Sequence, residues 1–160
     1  MLRSPPVWEG HLSQKGRSVQ DQTRIPHRSD LELLQQVANL LTTRVARALV
    51  DHELTVDQWR VLHTLALTGA RTMSELALAT QITGPTLSRV VDRLVERALV
   101  YRNVDAADRR RVVVHAADRG RALCEELAPA IGGAERQGLA PLSSEEARTL
   151  RELLERIAST

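Results

Sequence analysis

Phenylalanine is absent from the 160 residues, and Trp8, Trp59 and Tyr101 are the only aromatic side chains. Leucine, valine and alanine must therefore fill any interior, which favours packed helices over an aromatic-rich β-sandwich. Cysteine is as scarce. Cys124 stands alone, which excludes an intrachain disulfide and a multi-cysteine metal site. No run of apolar residues exceeds four, so the sequence offers neither a transmembrane helix nor a signal-peptide apolar region, and a cytoplasmic location is expected. Lysine is almost missing too: Lys15 is the only one among 22 basic residues. The arginine fork suits phosphates and base edges, although a GC-rich genome also replaces lysine by arginine without functional cause.

What is present fits one modest globular domain, with 42% hydrophobic and 26% charged residues and a net charge of +2. Residues 1–29 hold five basic and two acidic residues and three prolines, with no apolar periodicity, and read as a flexible basic arm. Helical patterning begins at Ser29-Asp30, a candidate cap, and puts Leu31, Leu34, Val37, Ala38, Leu41, Val45, Ala48 and Leu49 on one stripe. Thr55 can cap a second helix that carries Val56, Trp59, Leu62 and Leu65 and ends at Gly69. A third, short helix runs from about Thr72 to Ala79. Pro85 opens a fourth. Its buried side is read as Leu87, Val90, Val91, Leu94 and Ala98, with Thr86, Arg89, Arg93 and Arg97 on the other. From Leu99 to His115 the texture turns β-branched around a polar stretch, Asp105 to Arg109, with the second run starting at Arg110, which predicts a β-hairpin with a charged tip. After Gly120 a long helix resumes, with Pro129 as a candidate kink, and Ser143-Ser144-Glu145-Glu146 is a capping box before a last helix.

Two short helices, a polar turn, a helix with an exposed basic face and a hairpin make a winged helix-turn-helix. A recognition helix needs an apolar rear face, small polar residues near base edges and cations for phosphates; Thr83, Pro85, Thr86, Ser88, Arg89 and Arg93 supply the last two. A solvated helix whose arginines pair with Asp92 and Glu96 would look similar. The hairpin tip favours DNA. Asp108, Arg109, Arg110 and Arg111 place three cations on a protruding ribbon, where an arginine fits the narrow minor groove. Asp108 can orient Arg110 bidentately, or simply open the bend.

At three places in order, the sequence resembles the MarR (multiple-antibiotic-resistance regulator) family. Leu54-Thr55-Val56-Asp57-Gln58-Trp59-Arg60-Val61-Leu62 is similar to its second-helix signature, residues 83–94 to its recognition helix, and Asp108 to Arg111 followed by Gly120 to its wing motif. Ala116-Ala117 departs from the usual Leu-Thr there, so the next helix should start poorly capped. The resemblance implies a mainly α fold with a small β-hairpin wing, a winged helix-turn-helix plus a helical dimerisation region over residues 30–158. The DNA-binding lobe falls at about 55–116, with the helix-turn-helix at 73–96 and the wing at 100–116. Dimerisation helices fall at about 30–52 and 118–158. It further implies a bacterial homodimer on a pseudo-palindromic operator in double-stranded DNA, nucleoid-associated when bound, with recognition helices roughly 34 Å apart. The expected outcome is repression released by a small aromatic or anionic effector in the cleft between dimerisation helices and DNA-binding lobe. Arg44, Arg47, Trp59 and His63 are the candidate lining, though Trp59 fits a plain core role as well.

Other signals are weaker. Cys124 is flanked by Leu123, Glu125 and Glu126, which raise a thiol pKa and disfavour redox sensing. His52, His63 and His115 are isolated in sequence, so no metal site and no cofactor are expected. No phosphate loop, nucleophile elbow or zinc-protease helix occurs, so the chain is not read as an enzyme. A redox- or metal-responsive regulator and a winged-helix protein-interaction module remain as alternatives. Charge is divided along the chain: residues 83–121 carry nine arginines against five acids, residues 122–160 four against seven.

Overall fold

In a computed structural model, residues 28–105, 108 and 111–159 are described. The basic arm lies outside the described residues except for its last two. Six α-helices and three short strands follow in chain order: α1 (Asp30–Leu49), α2 (Val56–Thr68), β1 (Arg71–Thr72), α3 (Met73–Thr80), α4 (Gly84–Glu96), β2 (Val100–Val104), β3 (Val112–Ala116), α5 (Asp118–Gly138) and α6 (Ser144–Ala158). A 3₁₀ turn, Val50–His52, extends α1.

Helix starts are written locally. Ser29, Thr55, Thr72 and Ser143 each accept a hydrogen bond from the backbone three residues on, while Glu32, Gln58, Glu75 and Glu146 reach back to the cap amide. Each reciprocal pair satisfies two donors that a helix start leaves open. α5 starts on Ala117 without a side-chain cap, as its alanines predict. The same helix continues through Pro129.

Twelve fully buried side chains, all leucine or valine, dominate the core; Leu62, Leu65, Leu76, Leu87 and Leu94 join α2, α3 and α4 to Leu127 of α5. Trp59 is the one aromatic in it, 7% exposed. The only buried polar residue among those described is Thr80, whose hydroxyl donates to the Leu76 carbonyl at 2.6 Å. Ala98 departs from the expected buried face of α4. It lies past the helix end, exposed, at φ 54°.

The hairpin is part of a three-stranded antiparallel sheet in the order β1-β3-β2. Val100 pairs with Ala116 and Val104 with Val112, while Arg71 pairs with Val114 on the other side of β3. Two residues are too few to show the alternation that marks a strand, so β1 left no periodic signal in the sequence.

Candidate nucleic-acid interface

α4 is divided cleanly. Leu87, Val90, Val91 and Leu94 are buried against the core, and Thr83, Pro85, Thr86, Ser88, Arg89, Asp92 and Arg93 are exposed. Thr83 occupies the cap position without a capping bond; its hydroxyl donates to the Thr86 hydroxyl at 3.2 Å, and no acid occupies the first turn. Backbone donors at this end therefore meet no carboxylate in that turn, the arrangement that suits an approaching phosphate.

The arginines expected on this face separate into three situations. Arg89 is exposed and has no carboxylate partner among the described residues. Arg93 donates to Glu96 at 2.9 Å, with both side chains mostly exposed. Arg97 does not belong to the face at all: its guanidinium turns back to the His52 and Glu53 carbonyls at 2.9 and 2.8 Å. The solvated-helix reading thus holds for Arg93 but not for Asp92, which accepts from Arg102 of β2 at 2.7 Å. That bond ties the recognition helix to the wing.

At the wing, Asp105 N–H donates to the Arg111 carbonyl at 2.8 Å, and Arg111 N–H donates to the Asp108 carbonyl at 2.9 Å. The Asp108 backbone thus closes the turn, which fits a bend-opening role. Arg109 and Arg110, and with them any Asp108–Arg110 pairing, lie outside the described residues. Arg111 reaches Glu75 of α3 at 3.6 Å. Glu75 is held below the usual carboxylate range, first by the Thr72 amide and hydroxyl it accepts from, then by the charges of Arg111 and Arg71. Neither wing tie was foreseen from sequence. Opposite charges far apart in the chain give no local signal.

The four residues expected to line an effector cleft fall into two pairs. Arg44 and Arg47 border a cavity of about 460 Å³ between α1 and α5, with Ala48, Ala130, Gly133, Ala134 and Gln137. The Arg44 Nε is buried there without a hydrogen-bond partner among the described residues. Trp59 and His63 stack on each other, ring centres 4.9 Å apart, and do not line this cavity. His115 stacks on Tyr101, also at 4.9 Å. Among the described residues no three potential metal ligands converge. Cys124 is buried, and burial, with the Glu125 charge adding to it, pushes its thiol up to about 11. No helix among the described residues is long and apolar enough to cross a membrane.

A family model described as the MarR family matches residues 52–111, a stretch running from the end of α1 to the wing. Among solved structures, a probable transcriptional regulator from Pseudomonas aeruginosa is 36% identical, with a TM-score of 0.68 over 78% of this chain and 93% of that one. Bordetella bronchiseptica BpsR, whose DNA binding is regulated by 6-hydroxynicotinic acid, is 28% identical, with a TM-score of 0.74 over 83% and 95%. A cysteine-to-serine mutant of E. coli MarR in complex with operator DNA is 26% identical, with a TM-score of 0.70 over 79% and 91%.

Proposed function

The chain belongs to the MarR family, and from that premise we propose that it is a homodimeric DNA-binding transcriptional repressor, released from a pseudo-palindromic operator by a small aromatic or anionic effector. The observation that carries the DNA-binding part is the divided surface of α4: an apolar face locked into the core, and an outer face that presents Thr86, Ser88 and Arg89 with no acid in its first turn, while Asp92 and Glu96 further along are engaged by Arg102 and Arg93. Thr83, Pro85 and Arg93 extend that surface, and Asp108, Arg109 and Arg110 are assigned to the wing's contact. E. coli MarR, a relative of the same fold, has been seen on operator DNA.

Homodimerisation is supported by what one copy leaves uncovered. Leu31, Leu33, Leu34, Val37 and Leu40 of α1 are 40–70% exposed, and α6 buries no residue while presenting Leu153, Leu154 and Ile157. Exposed apolar residues in this number are costly in a monomer. Residues 30–52 and 118–158 are accordingly assigned to dimerisation, and residues 55–116 to the DNA-binding lobe. The effector is assigned to the α1–α5 cavity, which lies between two dimerisation segments rather than against the DNA-binding lobe as the resemblance implied, and where the Arg44 and Arg47 guanidinium groups suit a carboxylate; BpsR responds to an aromatic acid. A ligand there would shift the population of half-site spacings away from the one DNA accepts.

Duplex selection from genomic DNA, followed by salt titration, tests this reading. The expected result is a palindromic site whose log affinity falls linearly with log salt. A flat salt dependence would favour a protein-interaction module. For the effector, a panel of aromatic acids should raise the melting temperature and weaken operator binding; if it changes neither, the effector assignment fails. Mass measurement at micromolar concentration should show a dimer.

A further inference from the structure

Arg97 is the first residue past α4, yet its side chain leaves the DNA-facing surface and grips the turn that ends α1. Nη1 donates to the Glu53 carbonyl at 2.8 Å and Nη2 to the His52 carbonyl at 2.9 Å, across more than forty residues of sequence. Those carbonyls belong to the C-terminal end of the 3₁₀ turn that extends α1, where helical dipoles leave partial negative charge and a cation is favoured. Bonds from a charged fork are stronger than neutral ones and fix its plane. Both sides of the grip are sharp corners: Glu53 sits at φ 52° and Ala98, directly after Arg97, at φ 54°. Arg97's own N–H is bonded back to the Arg93 and Val95 carbonyls, so its backbone moves with the helix.

We propose that Arg97 is a positioning residue for operator recognition: it fixes the tilt of the recognition helix against the dimerisation helix, and so sets the half-site spacing the dimer accepts. The inference rests on the DNA-binding homodimer reading above. Leu87, Val90, Val91 and Leu94 seat α4 on α2 and α3, whereas at its C-terminal end, on the side of α1, packing is open: a cavity of about 450 Å³ flanks the joint, bordered by Asp51, Leu99, Arg119 and Glu126. The lever is long. A helix of 13 residues spans roughly 20 Å, so a tilt of about 10° at its C-terminal end would move its first turn by about 3 Å, close to the rise of one base pair.

The test uses the full chain and the duplex site that the wild-type protein selects, together with versions carrying one base pair inserted or removed at the centre. Affinities are compared for wild type, Arg97→Ala and Arg97→Lys at several salt concentrations. The expected result is that Arg97→Ala loses about fivefold or more of the preference for native spacing, the low end of couplings between sites, with its salt slope unchanged. Arg97→Lys, which keeps the charge but not the fork, should fall between, and carries the comparison if the alanine variant does not fold. An unchanged spacing profile overturns the proposal, whether affinity is retained or lost equally at all spacings. A uniform loss with the salt slope reduced by about one would make Arg97 a phosphate contact instead. Wild-type protein that selects no duplex site would defeat the DNA-binding reading itself, and the proposal with it.

Discussion

The Leu99 carbonyl oxygen stands 2.1 Å from where a β-carbon on Gly120 would lie. The same oxygen accepts the Ala117 N–H at 2.9 Å, so the first turn of α5 is pressed onto the chain entering β2. Leu62 Cδ1 crowds the site from the other side, at 2.9 Å. Backbone cannot yield as a side-chain tip can. Gly120→Ala is expected to destabilise the fold by about 3 kcal/mol, the upper part of the overpacking range, measured by urea unfolding. Gly133→Ala serves as the control: its β-carbon would meet nothing nearer than Arg136 at 4.0 Å, and removing a mid-helix glycine should add about 0.5–1 kcal/mol.

Ala98, directly before Leu99, makes the opposite case. Its φ of 54° is left-handed, which costs an L-residue about 1–2 kcal/mol, whereas glycine adopts it freely at some expense in unfolded-chain entropy. Ala98→Gly should therefore stabilise by about 0.5–1 kcal/mol. A lower midpoint in thermal unfolding would show that the alanine methyl contributes packing its exposure does not suggest.

Much of this architecture was legible because it is local. Ser29 and Thr55 were legible as cap candidates and Ser143 as the start of a capping box, and the buried face of α4 was written in Leu87, Val90, Val91 and Leu94. Gly120 was recognisable as part of a motif, but its reason, contact with Leu99, is tertiary. Arg97 shows the limit most clearly. Helical phase put it beside Arg93, yet Ala98 breaks the helix and two carbonyls 44 and 45 residues earlier capture the guanidinium. Arg44, Arg47, Trp59 and His63 were placed together because the family resemblance implies an effector cleft between dimerisation helices and DNA-binding lobe, and only packing separates the α1–α5 cavity from the Trp59–His63 stack.

The Glu75 carboxylate links the helix-turn-helix to the wing. Its pKa is lowered chiefly by the Thr72 amide and hydroxyl, with Arg111 and Arg71 adding to them. A lowered folded value means that the cap's contribution is complete above the ordinary value of 4.5 and is lost as pH falls through the lowered one. Protection of the Thr72 amide, its exchange corrected for the intrinsic rate at each pH, should hold at pH 4.5 and fall only below it. Glu75→Gln should remove that acid dependence; a wild-type Thr72 amide already loosening near pH 6 would contradict the assignment.

Cys124 gives a complementary alkaline window. With its thiol raised from 9.0 to about 11 by burial, almost no thiolate exists at neutral pH, and the thiolate is the reactive form. Iodoacetamide should label Cys124 far more slowly in the folded protein than in urea, and peroxide should leave DNA affinity unchanged. Because the folded state holds the proton more tightly than the unfolded chain, stability is intact below pH 9 and falls as pH approaches 11. Cys124→Ala should flatten that fall, which comparison of urea midpoints at pH 8 and 10.5 would reveal.

Arg89 and Glu96 make opposite predictions on one helix. Arg89 is exposed without a carboxylate partner among the described residues, so Arg89→Ala should weaken operator binding and, if it meets a phosphate, lower the salt slope by about one. Glu96 withholds Arg93 through an exposed bond of 2.9 Å. Such i,i+3 pairs are worth only about 0.2–0.5 kcal/mol. Glu96→Gln frees the arginine and removes a negative charge near the DNA backbone, so affinity should rise by about twofold at low salt, with the gain fading as salt screens it. Fluorescence anisotropy on one duplex measures both. A solvated helix with no role in DNA binding would move in neither direction, and a gain in affinity from losing Arg89 would place the reading surface elsewhere.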